Sequence, residues 1–166
     1  IGIIYRNYKD KNRENQLIKI AEGCKKCSYK LFVSNDIKLV HKFKADGIYI
    51  PSFNKAKRKF NLEKKKILII GSAHNQKEIY EKKLQKCSAI FISPIFSIEK
   101  SKTFLGLHRF NYLTRINNIR AYGLGGISEN NINKLRLFNV SGFGGISIFK
   151  KKPALKRPVF IKNKFF

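Results

Sequence analysis

The chain is poor in cysteine, poor in acid and without any long apolar run, and each shortage removes a class of protein. Three cysteines in 166 residues, at Cys24, Cys27 and Cys87, are too few and too unevenly placed for a disulfide framework, which points to a reducing cytoplasm. Cys24-x-x-Cys27 has the first half of a zinc-site spacing, but no second Cys or His pair follows it, so the thiols read as incidental. No run of about twenty apolar residues and no signal peptide occurs, and the protein is expected to be soluble, with no membrane partner. No Gly-x-Gly-x-x-Gly follows the first apolar run, which argues against a dinucleotide site on an open doubly wound sheet. Acidic residues number 10 against 36 Lys and Arg, for a net charge of +26. The basic residues are spread along the chain without an RNA-binding signature or a basic-aromatic platform, so nucleic acid is not the expected partner. Small anionic substrates suit that charge equally well.

What remains is a regular alternation. Short apolar or β-rich runs recur at Gly2–Tyr5, Lys30–Val33, Gly47–Ile50, Ile67–Ile70, Ala89–Ile92, Arg120–Leu124 and Gly142–Ile146, mostly continuous as buried parallel strands are. Between them, Glu14–Lys26, Ile37–Lys42, Gln76–Gln85, Arg109–Asn117 and Glu129–Phe138 have helical spacing, the last with Ser128 as its expected N-cap. A loop or short helix is expected around Asn54–Leu62. The fold class is α/β, and right-handed βα units curling round make a TIM-type (β/α)8 barrel that lacks its first N-terminal strand. The absence of an initiator Met before an apolar start agrees with a missing preceding segment. The barrel domain is expected over residues 1–149, and 150–166 as a Lys-rich, Pro-bearing tail over the surface.

Two glycine-rich strand ends stand out, Gly125-Gly126-Ile127 and Gly142-Phe143-Gly144-Gly145-Ile146-Ser147. Backbone N–H groups at adjacent strand ends, free of side chains, can cradle one phosphate. A tight turn or close packing is the plainer use of either pair alone. In a barrel the chemistry gathers where the strands end, and the residues after each run are polar. They are Arg6; Ser34-Asn35-Asp36; Pro51-Ser52-Phe53-Asn54; Ser72-Ala73-His74; Ser93-Pro94-Ile95-Phe96; and the two glycine clusters. Arg6 offers a bidentate fork for phosphate and Asp36 a hard oxygen for Mg²⁺. Taken singly, Asp36 also reads as a helix N-cap, Arg6 as a rim ion pair and His74 as a polar loop residue.

The order of these motifs resembles the thiamine phosphate synthase family, with its thiazole tautomerase relatives, as far as Phe149. Asn35-Asp36 is similar to the family's Asn-Asp pair, Gly47-Ile48-Tyr49-Ile50 to its Gly-Val-His-Leu strand, and Ser72-Ala73-His74 to its Ser-x-His turn. Ser93-Pro94-Ile95-Phe96 is similar to its Pro-bearing strand end, and Arg6 falls on the arginine of its Arg-x-Lys motif. The resemblance implies condensation of hydroxymethylpyrimidine diphosphate with a thiazole phosphate. Asp36 would then hold Mg²⁺, Arg6 and Asn35 would take the diphosphate, and Ser72 would fix the pyrimidine side. His74 would also bind substrate, with Gly125, Gly126, Gly145 and Ser147 on the thiazole phosphate. The sequence departs from that pattern where Tyr8 replaces the motif's lysine and Asn54 a second Mg²⁺ aspartate, and Lys100 or Lys102 is offered for a lysine of the loop after Phe96. These departures leave open a tautomerase-like enzyme or a non-catalytic phosphate-binding barrel.

Overall fold

In the computed structural model the described residues are 1–8, 12–56, 67–98, 103–138, 140–149 and, for the backbone alone, 159–163. Seven parallel strands follow one another around the wall: β1 (Gly2–Tyr5), β2 (Lys30–Ser34), β3 (Gly47–Ile50), β4 (Leu68–Ala73), β5 (Ala89–Ile92), β6 (Arg120–Gly123) and β7 (Gly142–Gly145). Each pairs with the next in simple register, for example Ile4 with Phe32, Val33 with Ile48 and Gly71 with Ile90. The barrel closes through β8 (Val159–Asn163), which is antiparallel to both β1 and β7. The place beside β1 where a TIM-type barrel has a parallel strand is therefore filled from the C-terminal stretch that the sequence suggests is a surface tail. The rest of that stretch lies outside the described residues.

Strict alternation divides the side chains. Ile4, Phe32, Tyr49, Ile70, Ala89, Phe91 and Tyr122 point inward and fill the barrel, with Phe91 stacked on Tyr122 at 5.2 Å. Their neighbours along the strands face outward under the helices. Ile3, Tyr5, Leu31, Val33 and Ile48 pack with α1 (Arg13–Lys26) and α2 (Ile37–Lys42). Ile50, Ile90, Ile92 and Ala121 pack with α3 (Gln76–Leu84) and α4 (Gly106–Asn117), whose Ile79, Phe110 and Leu113 are buried. Such a two-sided core needs the continuous apolar strands that the sequence contains.

Three local expectations change. β4 runs to Ala73, three residues beyond the expected Ile70, because Gly71 and Ser72 continue the ladder against Ile90 and Phe91. The helix expected over Glu129–Phe138 is a 3₁₀ segment, Ile132–Leu137. Ser128 is not its cap: Asn131 Oδ1 accepts the Ser128 N–H at 2.9 Å while Asn131 Nδ2 donates to Gly126 O at 2.8 Å, a side-chain turn that competes with α-helix. Asn54–Leu62 is described only as far as Ala56 and is loop there.

Candidate active site at the barrel mouth

Parallel strands in sequential order bring all seven C-terminal ends to one mouth. The residues expected after β1–β5 are linked there by hydrogen bonds and ring contacts. Arg6, exposed on the rim, sets its guanidinium over the Tyr49 ring, 5.3 Å from the centroid. Tyr49 is buried in the barrel; burial pushes its hydroxyl above the ordinary range, and the Arg6 charge and the Ser72 hydroxyl oppose the shift. Ser72 Oγ also accepts the Ser52 N–H at 3.1 Å.

Asn35 turns the chain from β2 into α2 in the left-handed conformation, φ 57°, with its N–H on Tyr49 O at 2.9 Å. That turn sets Asp36 at the N-terminus of α2, where Oδ1 accepts the Leu39 N–H at 3.1 Å. Its other oxygen takes Arg13 Nη1 at 3.2 Å, and Arg13 Nη2 donates to Ser34 O at 3.0 Å. Asn54 Nδ2 donates to Asn35 Oδ1, so the loop after β3 reaches back to the Asn-Asp pair. Tyr8 is hydrogen-bonded to Ser34 Oγ and meets Phe53 edge-on.

His74 is held at both ring nitrogens. Nδ1 lies 2.7 Å from Ser93 O, an acceptor only, so Nδ1 carries a proton; Nε2 lies 3.1 Å from Ser52 Oγ. In the neutral ring, Nε2 is then the lone-pair nitrogen at the mouth.

The glycine half has a second use. Gly125 and Gly126 have φ of 90° and 70°. A Cβ on Gly125 would come 2.7 Å from Pro94 Cβ, and one on Gly126 2.6 Å from the carbonyl oxygens of Phe96 and Ser97. The bare backbone thus lets the loop after β5 lie directly on the loop after β6, tied by Phe96 N–H to Gly125 O at 3.1 Å. Gly145 ends β7 beside them and Ser147 opens a short 3₁₀ turn, so Gly125, Gly126, Gly145 and Ser147 flank one side of the mouth.

For Mg²⁺ the donor set is one carboxylate, Asp36, with the amides of Asn35 and Asn54 joined beside it. Among the described residues no group of three His, Cys, Asp or Glu side chains assembles a metal cage. These donors fit a Mg²⁺ shared with substrate phosphates, which needs only one or two protein carboxylates.

Sequence reasoning missed Arg13, and named Ser34, Ser52 and Tyr49 without assigning them a role. Arg13 opens a helix and Tyr49 sits in an apolar strand, so neither carries a local signal. Lys100 and Lys102 lie outside the described residues, and no described helix is long and apolar enough to cross a membrane.

Residues 2–149 match the family model described as thiamine monophosphate synthase. A thiamine-phosphate synthase of Prochlorococcus marinus is 30% identical over 149 residues, covering 85% of this chain and 42% of that protein. One of Staphylococcus haemolyticus is 26% identical over 159 residues, covering 93% and 74%. The thiamine phosphate pyrophosphorylase of Pyrococcus furiosus superposes with a TM-score of 0.71 at 16% identity, over 86% of this chain and 70% of that one, and so shares its fold. The chain spans about two-fifths of the length of the Prochlorococcus relative. With the family's model matched from the first strand to the last turn before the C-terminal stretch, the chain belongs to the thiamine monophosphate synthase family.

Proposed function

We propose that the chain carries thiamine phosphate synthase activity, condensing hydroxymethylpyrimidine diphosphate with a thiazole phosphate to give thiamine phosphate and pyrophosphate. The observation that carries this reading is the linkage of the rim: Arg6 over Tyr49, the Ser52 N–H on Ser72, and Asn54 on the Asn35-Asp36 pair. In the reaction the bond from the pyrimidine methylene carbon to the diphosphate oxygen breaks, and its electron pair leaves with pyrophosphate. The thiazole nitrogen lone pair then forms the new C–N bond. The barrier lies in leaving-group charge, and Arg6 is fixed where it meets that charge without reorganising. Arg13 supplies a second guanidinium one residue layer behind. Asp36, with Asn35 and Asn54, would hold Mg²⁺ against the diphosphate, and the metal when bound adds charge neutralisation of the leaving group.

Ser72, buried in the barrel and held by the Ser52 N–H, presents its hydroxyl to the pyrimidine. The glycine half takes the thiazole phosphate on main-chain N–H groups, and the two sites together align nitrogen and carbon. Pyrophosphate release with both substrates present, with and without Mg²⁺, tests the reading. Turnover that depends on Asp36 supports it; no turnover in any metal condition overturns it.

The placing of His74, with Nδ1 on Ser93 O and Nε2 toward the mouth, favours one second reading, a tautomerase-like proton transfer on the thiazole. Loss of solvent deuterium incorporation into thiazole phosphate in a His74→Gln variant would support that alternative.

A further inference from the structure

Lys82 is the one charged side chain among the buried residues of the described core, with 0% of its surface exposed, and the site at the mouth does not use it directly. It lies on α3, under the outer face of β4. Gly71 makes room for it: a Cβ there would stand 2.9 Å from Lys82 Cδ and 2.9 Å from Cys87 Sγ. A buried ammonium is costly unless its donors are met, and an apolar side chain of the same length would fill the space without that cost. Burial also pushes its proton affinity below that of an ordinary lysine.

Its partners are specific. Nζ donates to Asn54 O at 2.7 Å and to Gln85 Oε1 at 2.8 Å, while Gln85 Nε2 donates to Asn54 O at 2.9 Å and Ala56 O at 3.0 Å. A lysine and a glutamine one helical turn apart thus seize the main chain of the loop after β3 from below. From above, the Asn54 side chain is fixed by its amide on Asn35 and by its oxygen, which takes the Ala56 N–H at 2.9 Å.

We propose that Lys82 and Gln85 are positioning residues that hold the Asn54 carbonyl, and so keep the Asn54 amide docked on the Asn35-Asp36 pair of the anion-binding rim. The link to an anion rests on the functional reading above; the clamp on the loop does not. Lys82 reaches the rim only through Asn54, so its removal loosens one side of the mouth and leaves the glycine side intact. Among the described residues, both acceptors of Lys82 Nζ are oxygens of this network.

The test compares the protein with Lys82→Met and Gln85→Leu variants in two measurements. Hydrogen exchange of the Asn54 and Ala56 amides is expected to speed up about tenfold in each variant, with the amides of β2 and β5 unchanged. Inorganic pyrophosphate with Mg²⁺, read by calorimetry, is expected to bind about three- to tenfold more weakly, while affinity for thiazole phosphate stays the same. Combined with Asn54→Ala, Lys82→Met should weaken pyrophosphate no further than Asn54→Ala alone. Loop exchange that is unchanged, or that rises equally in the strands, overturns the clamp, as does an equal loss of both ligands. Should Lys82→Met fail to fold, Gln85→Leu removes three of the four bonds and leaves Lys82 its bond to Asn54 O. If the unaltered protein binds no pyrophosphate, the functional reading fails while loop exchange still decides the clamp.

Discussion

Arg13 and Asp36 form an ion pair, Nη1 to Oδ2 at 3.2 Å, across the gap between α1 and the start of α2. The pair is partly buried, and Asp36 is simultaneously the cap of α2. One carboxylate therefore has three prospective partners: a helix terminus, a guanidinium and a metal shared with substrate. Among the described residues, the buried Nε–H of Arg13 has no hydrogen-bond partner. Replacing Arg13 by Gln is expected to lower the Mg²⁺ concentration needed for half-maximal turnover, since a competing cation is gone from Asp36. The same change should raise KM for the diphosphate about tenfold, because a charge-assisted donor is lost. A Mg²⁺ titration at fixed substrate separates the two effects; an unchanged Mg²⁺ midpoint would mean that Arg13 does not compete for Asp36.

Arg6 is placed differently: among the described residues it lies on a ring face and pairs with no carboxylate. Its guanidinium over Tyr49 keeps its N–H edge available to an anion at the mouth. Arg6→Gln should reduce kcat for pyrophosphate release by about 10²–10³-fold, the usual loss of a donor aimed at developing charge. Thermal stability should fall by less than about 1 kcal/mol, as expected for a rim contact. A drop in stability matching the drop in rate would recast Arg6 as structural.

The glycines separate strain from crowding. Gly106 and Gly126 both have positive φ, 71° and 70°, but a Cβ on Gly106 meets nothing within 4 Å, whereas one on Gly126 meets main chain at 2.6 Å. Gly106→Ala should therefore cost only the left-handed strain, about 1–2 kcal/mol. Gly126→Ala must also push the loop after β5 away and should cost about 1–3 kcal/mol more, as overpacking does. Paired denaturation midpoints decide this, and equal losses would show that the loop yields easily.

The strand order and the polar residues at the strand ends were legible in the sequence because they depend on local repetition: apolar runs followed by polar ends. Asn35, Asp36, Asn54, Ser72 and His74 were found that way. What escaped depends on contacts distant along the chain. Arg13 and Lys82 look like ordinary helix-surface cations until packing sets one on Asp36 and the other beneath Asn54. The 3₁₀ segment after Gly126 was misread as helix because Asn131 offers the chain a rival hydrogen bond, which periodicity does not register. The C-terminal stretch, basic and broken by prolines, gave no alternating pattern from which β8 could be recognised. Its strand is defined by the open edges of β1 and β7, a tertiary cause.

The thiols carry a pH signature. Burial pushes Cys24 up to about 11 and Cys87 up to about 12, from 9.0, while Cys27 is exposed. Between pH 9 and those values the folded protein keeps protons that the unfolded chain releases, so the folded state binds more protons and stability falls as pH rises through this window. Cys87→Ala should flatten the upper part of the fall, and its unfolding free energy should change less between pH 9 and 11 than that of the unaltered protein. At pH 8 a thiol reagent should label Cys27 promptly and reach Cys24 and Cys87 only as the barrel opens. Rapid labelling of all three in the folded protein would mean that the outer clusters holding Cys24 and Cys87 open far more readily than their burial implies.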